Sequence, residues 1–275
     1  MKLGIVGKGG VGKTTISSLV ARHYRTLGRR VLAIDTDSNP NLAMSLGLDE
    51  QTADSAPVIP RNLVTGGGAD WTPPLLLETF GLETPEGVTL LHAMRIDQAG
   101  AGCTCSSHGA VRSILGSAID ELADVTLVDM EAGLEHLSRA GGTLAYADVL
   151  LVIMEPTRKS ILTASRTVSL ARELGIPRVA GVGNKAKLPA DQAFYEEVAA
   201  EFGVPLAGIV PFHPDVGTAD RRGTPLTAEE AGPVRAAVAA VLAWVEGAHD
   251  ERAGLEAERA RIDRRIAELE AQAGG

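Results

Sequence analysis

A mostly parallel, twisted α/β sheet with helices on both faces is the fold this sequence predicts, and three observations carry the prediction. Short apolar runs suited to buried strands alternate with stretches of helical apolar spacing. The first run passes through a glycine-rich loop, Gly7 to Thr14 (GKGGVGKT), straight into a helix. Later runs lead into aspartates. Such alternation requires right-handed crossovers and places ligands at the carboxyl ends of the strands.

Taken in order, Lys2 to Val6 reads as a short buried strand, and Thr14 to Leu27 as a helix that stops at Gly28. Further strands are expected at Arg30 to Ile34, Val125 to Asp129, Val149 to Met154, Val179 to Val182 and Leu206 to Val210. Helical stretches around 109–123, 157–174, 191–202 and 228–246 separate them. Residues 50–100 break the rhythm: Pro57, Pro60, Gly66 to Gly68, Pro73, Pro74 and Pro85 punctuate weakly periodic sequence, which reads as an inserted surface segment. Beyond Glu246, Leu255, Ile262 and Leu269 fall seven apart, which predicts a final helix. Arg252 and Arg259 would occupy core positions of a zipper, so a helix packed on the body or projecting into solvent is favoured over a coiled coil. The expected organisation is one large domain over 1–247, with the irregular insert at about 50–100, and a helical extension over 248–275.

Bulk properties narrow the function. A chain of 275 residues suits one large α/β domain with a well-buried core. Aromatics are only 3% of it, so that core must be aliphatic and Ala-rich, as strands closely covered by helices require. The formal charge of −9 argues against a general nucleic-acid binder. Met1 leads directly into KLGIVGKGG, and no run long enough to cross a bilayer occurs, so the expected location is the cytoplasm, with no membrane partner.

The pattern GxxxxGK(S/T) is met by Gly7, Gly12, Lys13 and Thr14, with an apolar strand before and a helix after, as a P-loop NTPase requires. Glycines let the backbone N–H groups of Gly9, Gly10, Val11, Gly12, Lys13, Thr14 and Thr15 turn toward phosphates. Lys13 neutralises β- and γ-phosphate charge, and Thr14 offers its hydroxyl to magnesium. A tight strand-to-helix turn alone would not require Lys-Thr there. Asp129 closes an apolar strand (LVD), the usual place for a carboxylate that holds a magnesium-bound water.

The second lysine of the loop, Lys8, gives KGGVGKT, and here the chain resembles the deviant Walker A ATPases, the family that includes MinD, ParA, the nitrogenase iron protein and the arsenite-pump ATPase. The resemblance implies ATP or ADP with Mg²⁺ as cofactors and a homodimer closed around nucleotide. It also implies that Lys8 reaches the partner's phosphates, in the manner of an arginine finger. It makes Asp37, in DTDSNPN, the residue that positions the attacking water, although Asp37 or Ser38 could equally cap a helix. Asp35 stays open to two readings, magnesium or loop geometry. Met130-Glu131-Ala132-Gly133 resembles the family's second switch, while Glu131, Glu135 and His136 are read equally as exposed switch or interface residues and as catalytic ones. By the same resemblance Asn184, with Lys185 beside it, reads adenine, and Pro211 and Phe212 flank the base. Spacing alone would permit guanine.

Two cysteines, Cys103 and Cys105, stand at CxC spacing. Two thiolates cannot complete a tetrahedral site, but a twofold dimer would supply four. A CxC pair is also compatible with buried structural thiols, and His108 is either an extra ligand or a solvated side chain. The combination of the lysine-rich loop, DTDSNPNLAMSLG, AGAGCTC and DMEAGLEHLSR resembles the CooC-type accessory ATPases of carbon monoxide dehydrogenase over roughly residues 1–230. That resemblance implies Ni²⁺ or Zn²⁺ at Cys103 and Cys105 across the dimer interface, and a client metalloenzyme as partner. The expected function is therefore an ATP-dependent metallochaperone assisting nickel insertion. A positioning ATPase of the MinD or ParA type, or the ATPase subunit of a metalloid pump, are the alternatives. Residues 250–275 hold seven acids against five arginines and no aromatic, which suits a membrane anchor poorly.

Overall fold

A computed structural model describes residues 1–60, 72–95, 105–115, 121–130, 137, 144–227 and 229–247. Its centre is an eight-stranded sheet. In chain order the strands are β1 (Lys2–Gly7), β2 (Val31–Asp35), β3 (Leu82–Glu83), β4 (Thr89–His92), β5 (Val125–Asp129), β6 (Val149–Met154), β7 (Arg178–Ala186) and β8 (Leu206–Pro211). Their spatial order is β3-β4-β2-β5-β1-β6-β7-β8, and every neighbouring pair is parallel except β3 with β4.

Helices cover both faces. The described ones are α1 (Lys13–Thr26), α2 (Leu42–Ser45), α3 (Glu50–Asp54), α4 (Pro73–Phe80), α5 (Cys105–Leu115), α6 (Arg158–Glu173), α7 (Pro189–Glu201), α8 (Pro214–Arg222) and α9 (Gly232–Glu246). Successive strand residues point to opposite faces, and the sequence uses this to build two apolar cores. Leu32, Ile34, Leu150, Val152 and Met154 meet α5, α6 and α7 on one face. Val31, Ala33, Val149, Leu151 and Ile153 meet α1, α2 and α9 on the other. The central strands β2 and β6 are thus apolar on both sides, the pattern a doubly covered parallel sheet demands.

Local signals set the helix ends. Thr157 caps α6 by accepting from Ser160 N–H at 3.2 Å. Pro189 and Pro214 open α7 and α8, where a missing N–H costs nothing. Gly28, at φ 74°, ends the first helix, with Arg29 N–H returning to the Tyr24 carbonyl at 3.1 Å. The strands expected at Lys2, Arg30, Val125, Val149, Val179 and Leu206 all form, β7 running on to Ala186, and α6, α7 and α9 stand near their expected places. By contrast, α8 (Pro214–Arg222) forms where no helix is expected, and the helix expected over 109–123 is described only as α5, Cys105–Leu115.

One expectation needs correcting. Residues 50–100, read as a surface insert, supply β4, which pairs in parallel with β2 and buries Leu90, Leu91 and His92 completely. The strand is only four residues, TLLH, two positions after the turn at Pro85 to Gly87, so the run is too short for periodicity to register. The helix expected beyond Glu246, like residues 61–71 and 96–104, lies outside the described residues.

Candidate functional site

The sheet order puts β1 between β5 and β6, so the glycine loop leaves the middle of the sheet at its carboxyl edge. Close approach decides the loop's composition at two positions. A Cβ on Gly7 would lie 2.6 Å from the Ile153 carbonyl oxygen. Gly12 has φ 94°, and a Cβ there would lie 2.5 Å from Asn184 Nδ2. Lys13 is buried, with its Nζ donating to the Lys8 carbonyl at 3.2 Å, whereas Lys8, Gly9 and Gly10 are exposed. Thr14 and Thr15, half-buried, begin α1.

Three aspartates gather at the neighbouring strand ends. Asp35 and Asp129 are in register on β2 and β5 and both are buried. The Asp35 carboxylate accepts from Asp37 N–H and from Leu42 N–H, each at 3.0 Å, and so folds the chain between β2 and α2. That geometry answers the open question about Asp35 in favour of loop shape. Asp37 leaves this turn half-buried, and one of its oxygens accepts from Asn39 N–H at 2.9 Å. Thr36 joins the two strand ends, since its N–H and its hydroxyl both donate to the Asp129 carbonyl at 3.0 Å.

Asp129 differs from its neighbour. Neither carboxylate oxygen has a hydrogen-bond partner, although the side chain is only 2% exposed. Burial raises its pKa, and the Thr14 hydroxyl, the Lys13 ammonium and the Ser17 hydroxyl beside it pull it back down. Asp35 is raised for the same first reason, burial, and then by the charge of Asp129. A buried carboxylate beside a threonine hydroxyl is an oxygen acceptor set matched to a hard divalent cation and its water shell, with the loop lysine adding positive charge alongside. The residues therefore fit magnesium.

A cavity of about 290 Å³ opens beside the loop, between Gly12, Thr15, Asn184, Pro211, Phe212 and His213. It brings together the residues expected around the base. Asn184 is buried, and its Nδ2 donates to the Val11 carbonyl at 2.7 Å. Phe212 is 46% exposed, with Lys187 Nζ 4.8 Å from its ring centroid. A larger groove of about 670 Å³ lies between α7 and β8. It contains no residue of the glycine loop, so the smaller cavity is the one suited to a nucleotide.

Sequence reasoning missed Glu155, Tyr195 and Ser17. Glu155 pairs with Lys185 at 2.9 Å. The Tyr195 hydroxyl, fully buried, lies 3.0 Å from the Met154 carbonyl and 2.6 Å from that of Asn184. Only Glu155 carried a sequence signal, a carboxylate directly after an apolar strand. Cys103 lies outside the described residues, and Cys105 is described only as the first residue of α5. Among the described residues no group of three or more His, Cys, Asp or Glu could hold a metal ion. Among them, too, no helix is long and apolar enough to cross a membrane.

A glycine loop at the central strand, with a strand-end carboxylate and a base-sized cavity beside it, defines a nucleotide-binding domain of the P-loop class. The chain belongs to the CobQ/CobB/MinD/ParA nucleotide-binding family, which matches residues 5–226. Within that family it is similar to the carbon monoxide dehydrogenase accessory protein CooC of Rhodospirillum rubrum, at 35% identity over 239 residues, 81% of this chain and 88% of that protein. It is also similar, at 32% identity over 82% of this chain and 91% of the other, to an uncharacterised ATP-binding protein of Methanocaldococcus jannaschii. Among solved structures, the septum site-determining protein MinD of Pyrococcus horikoshii, complexed with Mg-ADP, superimposes with a TM-score of 0.67 at 19% identity. That match covers 90% of this chain and 96% of MinD and speaks to the fold. The family and CooC-type resemblances expected from the motifs are borne out by these matches.

Proposed function

We propose that the chain hydrolyses ATP as a homodimer and uses the cycle to deliver a metal ion, nickel before zinc, to a client metalloenzyme of the carbon monoxide dehydrogenase kind. The observation that carries the ATPase reading is Asp129: a buried carboxylate at the strand end facing Thr14 and Lys13. The similarity to CooC supports the metal-delivery reading.

In this reading the loop amides from Gly9 to Thr15 and the Lys13 ammonium hold the phosphates. Thr14 and Asp129 hold magnesium, the latter through a water, and magnesium supplies charge neutralisation at the β- and γ-phosphates. Asp37 orients the attacking water, whose oxygen bonds to the γ-phosphorus as the bond to the ADP oxygen breaks and whose proton passes to the released phosphate. Lys8, exposed at the loop's tip, stabilises departing charge on the partner's nucleotide. Asn184 reads adenine, with Lys185 beside it and Pro211 and Phe212 flanking the base. Cys103 and Cys105 of two copies supply four thiolates to the transported ion. The differential affinity of the closed and open dimers for that ion drives release.

The test is molar mass by light scattering with elemental analysis, on reduced protein with and without a nonhydrolysable ATP analogue. The reading expects a dimer with analogue bound, one nickel per dimer, and loss of nickel but not of nucleotide in Cys103→Ser/Cys105→Ser. Nickel retained by that variant, or a monomer at saturating analogue, refutes it.

A further inference from the structure

A phosphate cradle works only if its N–H groups point inward, and this constrains the other side of each peptide. In a trans peptide the carbonyl of one residue and the N–H of the next point in opposite directions. Each inward N–H therefore requires an outward carbonyl, and an outward carbonyl needs a donor. The loop meets this requirement at four positions. The Lys8 carbonyl accepts from Lys13 Nζ and the Gly12 carbonyl from Ile16 N–H. The Gly10 carbonyl accepts from Lys185 Nζ and the Val11 carbonyl from Asn184 Nδ2.

Two of these donors come from adjacent residues at the end of β7, far away in sequence, and both are themselves held. Asn184 is tied through its backbone, whose N–H donates to the Tyr195 hydroxyl at 3.2 Å. The Lys185 ammonium is shared with Glu155, at 2.9 Å, at the end of β6. Glu155 is placed in turn by its N–H, which donates to Ser160 Oγ at 3.0 Å. Lys185 has φ 61°, one of two non-glycine residues among those described in the left-handed region. For a side-chain-bearing residue that conformation is unfavourable. The Glu155 and Lys185 side chains are more than a third exposed, so their pairing contributes little to stability. Strain with so little structural return points to a job at the loop.

We propose that Lys185, held by Glu155, is a positioning residue for the glycine loop: it keeps the Gly10 carbonyl turned out so that the Val11 N–H faces the phosphates. Its principal partner is the loop backbone. This differs from the base-reading role that its place beside Asn184 suggests, and it rests on the reading of the loop as a nucleotide site. Glu155, which touches neither loop nor cavity, acts through Lys185.

Charge makes the test decisive. If these side chains acted only through the general field, removing the carboxylate in Glu155→Gln would strengthen binding of a polyanion. If they position the loop, the same change weakens it. The probes are Mg-ADP and inorganic tripolyphosphate, the second carrying no base, each titrated by calorimetry into wild type, Glu155→Gln, Lys185→Met and Lys185→Arg, with thermal melts as a check on folding. The expected result is a loss of about tenfold in affinity for both probes in Lys185→Met, the equivalent of about 1.4 kcal/mol. A smaller loss for both is expected in Glu155→Gln, with partial recovery in Lys185→Arg and unshifted melts. Tripolyphosphate binding unchanged in Lys185→Met, or equal or tighter binding in Glu155→Gln, overturns the proposal. Failure of the wild type to bind Mg-ADP would instead remove the nucleotide reading beneath it.

Discussion

Lowering the pH should destabilise this fold through one buried imidazole. His92 ends β4 in register with Asp35, is completely buried, and has no partner on either ring nitrogen. Burial, followed by the nearby Arg95 charge, lowers its pKa from 6.5 to about 4. Between those values the unfolded chain takes up a proton that the folded chain refuses, so stability falls as pH falls. The contribution is complete above pH 6.5, declines below it, and is gone once the pH has passed below about 4. A shift of that size at about 1.4 kcal/mol per unit amounts to about 3 kcal/mol. The perturbation that isolates it is His92→Leu, which fills the site with a neutral side chain. Urea unfolding of wild type and variant at a series of pH values from 7.5 to about 4 gives the difference in stability at each. That difference should move by about 3 kcal/mol in favour of the variant as the pH falls. The raised carboxylates Asp35 and Asp129 act in the opposite sense in both proteins and cancel in the comparison. A difference that stays flat across the range refutes the assignment.

Three other outcomes are expected. Gly12→Ala places a methyl 2.5 Å from Asn184 Nδ2 at φ 94°, and should weaken Mg-ADP binding by about tenfold or more, read by fluorescent-nucleotide titration. Asp129→Asn should lower the magnesium-dependent part of ADP affinity about 10- to 100-fold while affinity in EDTA is unchanged, which calorimetry with and without the metal will separate. Tyr195→Phe strips a buried hydroxyl from the carbonyls of Met154 and Asn184, and should cost about 1–3 kcal/mol in denaturant unfolding.

What the sequence revealed and what it hid divide along physical lines. Strands such as Val149 to Met154 are long apolar runs, and the glycine loop has a fixed spacing between strand and helix; both are local properties and both stand where expected. β4 failed to register because four residues carry no period, and its place next to β2 depends on pairing with residues more than fifty positions earlier. The site divides the same way. Lys13, Thr14 and Asp129 sit at motif positions, whereas two of the four donors to the loop's carbonyls come from residues 173 and 175 positions away. The role of Asp35 was undecided between metal and loop because one side-chain type serves both. Only the two backbone N–H groups that point at it distinguish them.

The last described helix meets the sheet's far border at a single intolerant point. Gly208 on β8 lies so close to α9 that a Cβ there would come within 2.8 Å of the Val241 side chain, while Val234, Val238, Leu242 and Val245 complete the same buried face. A stop inside α9 would strip the lining from one side of the sheet and yield insoluble product.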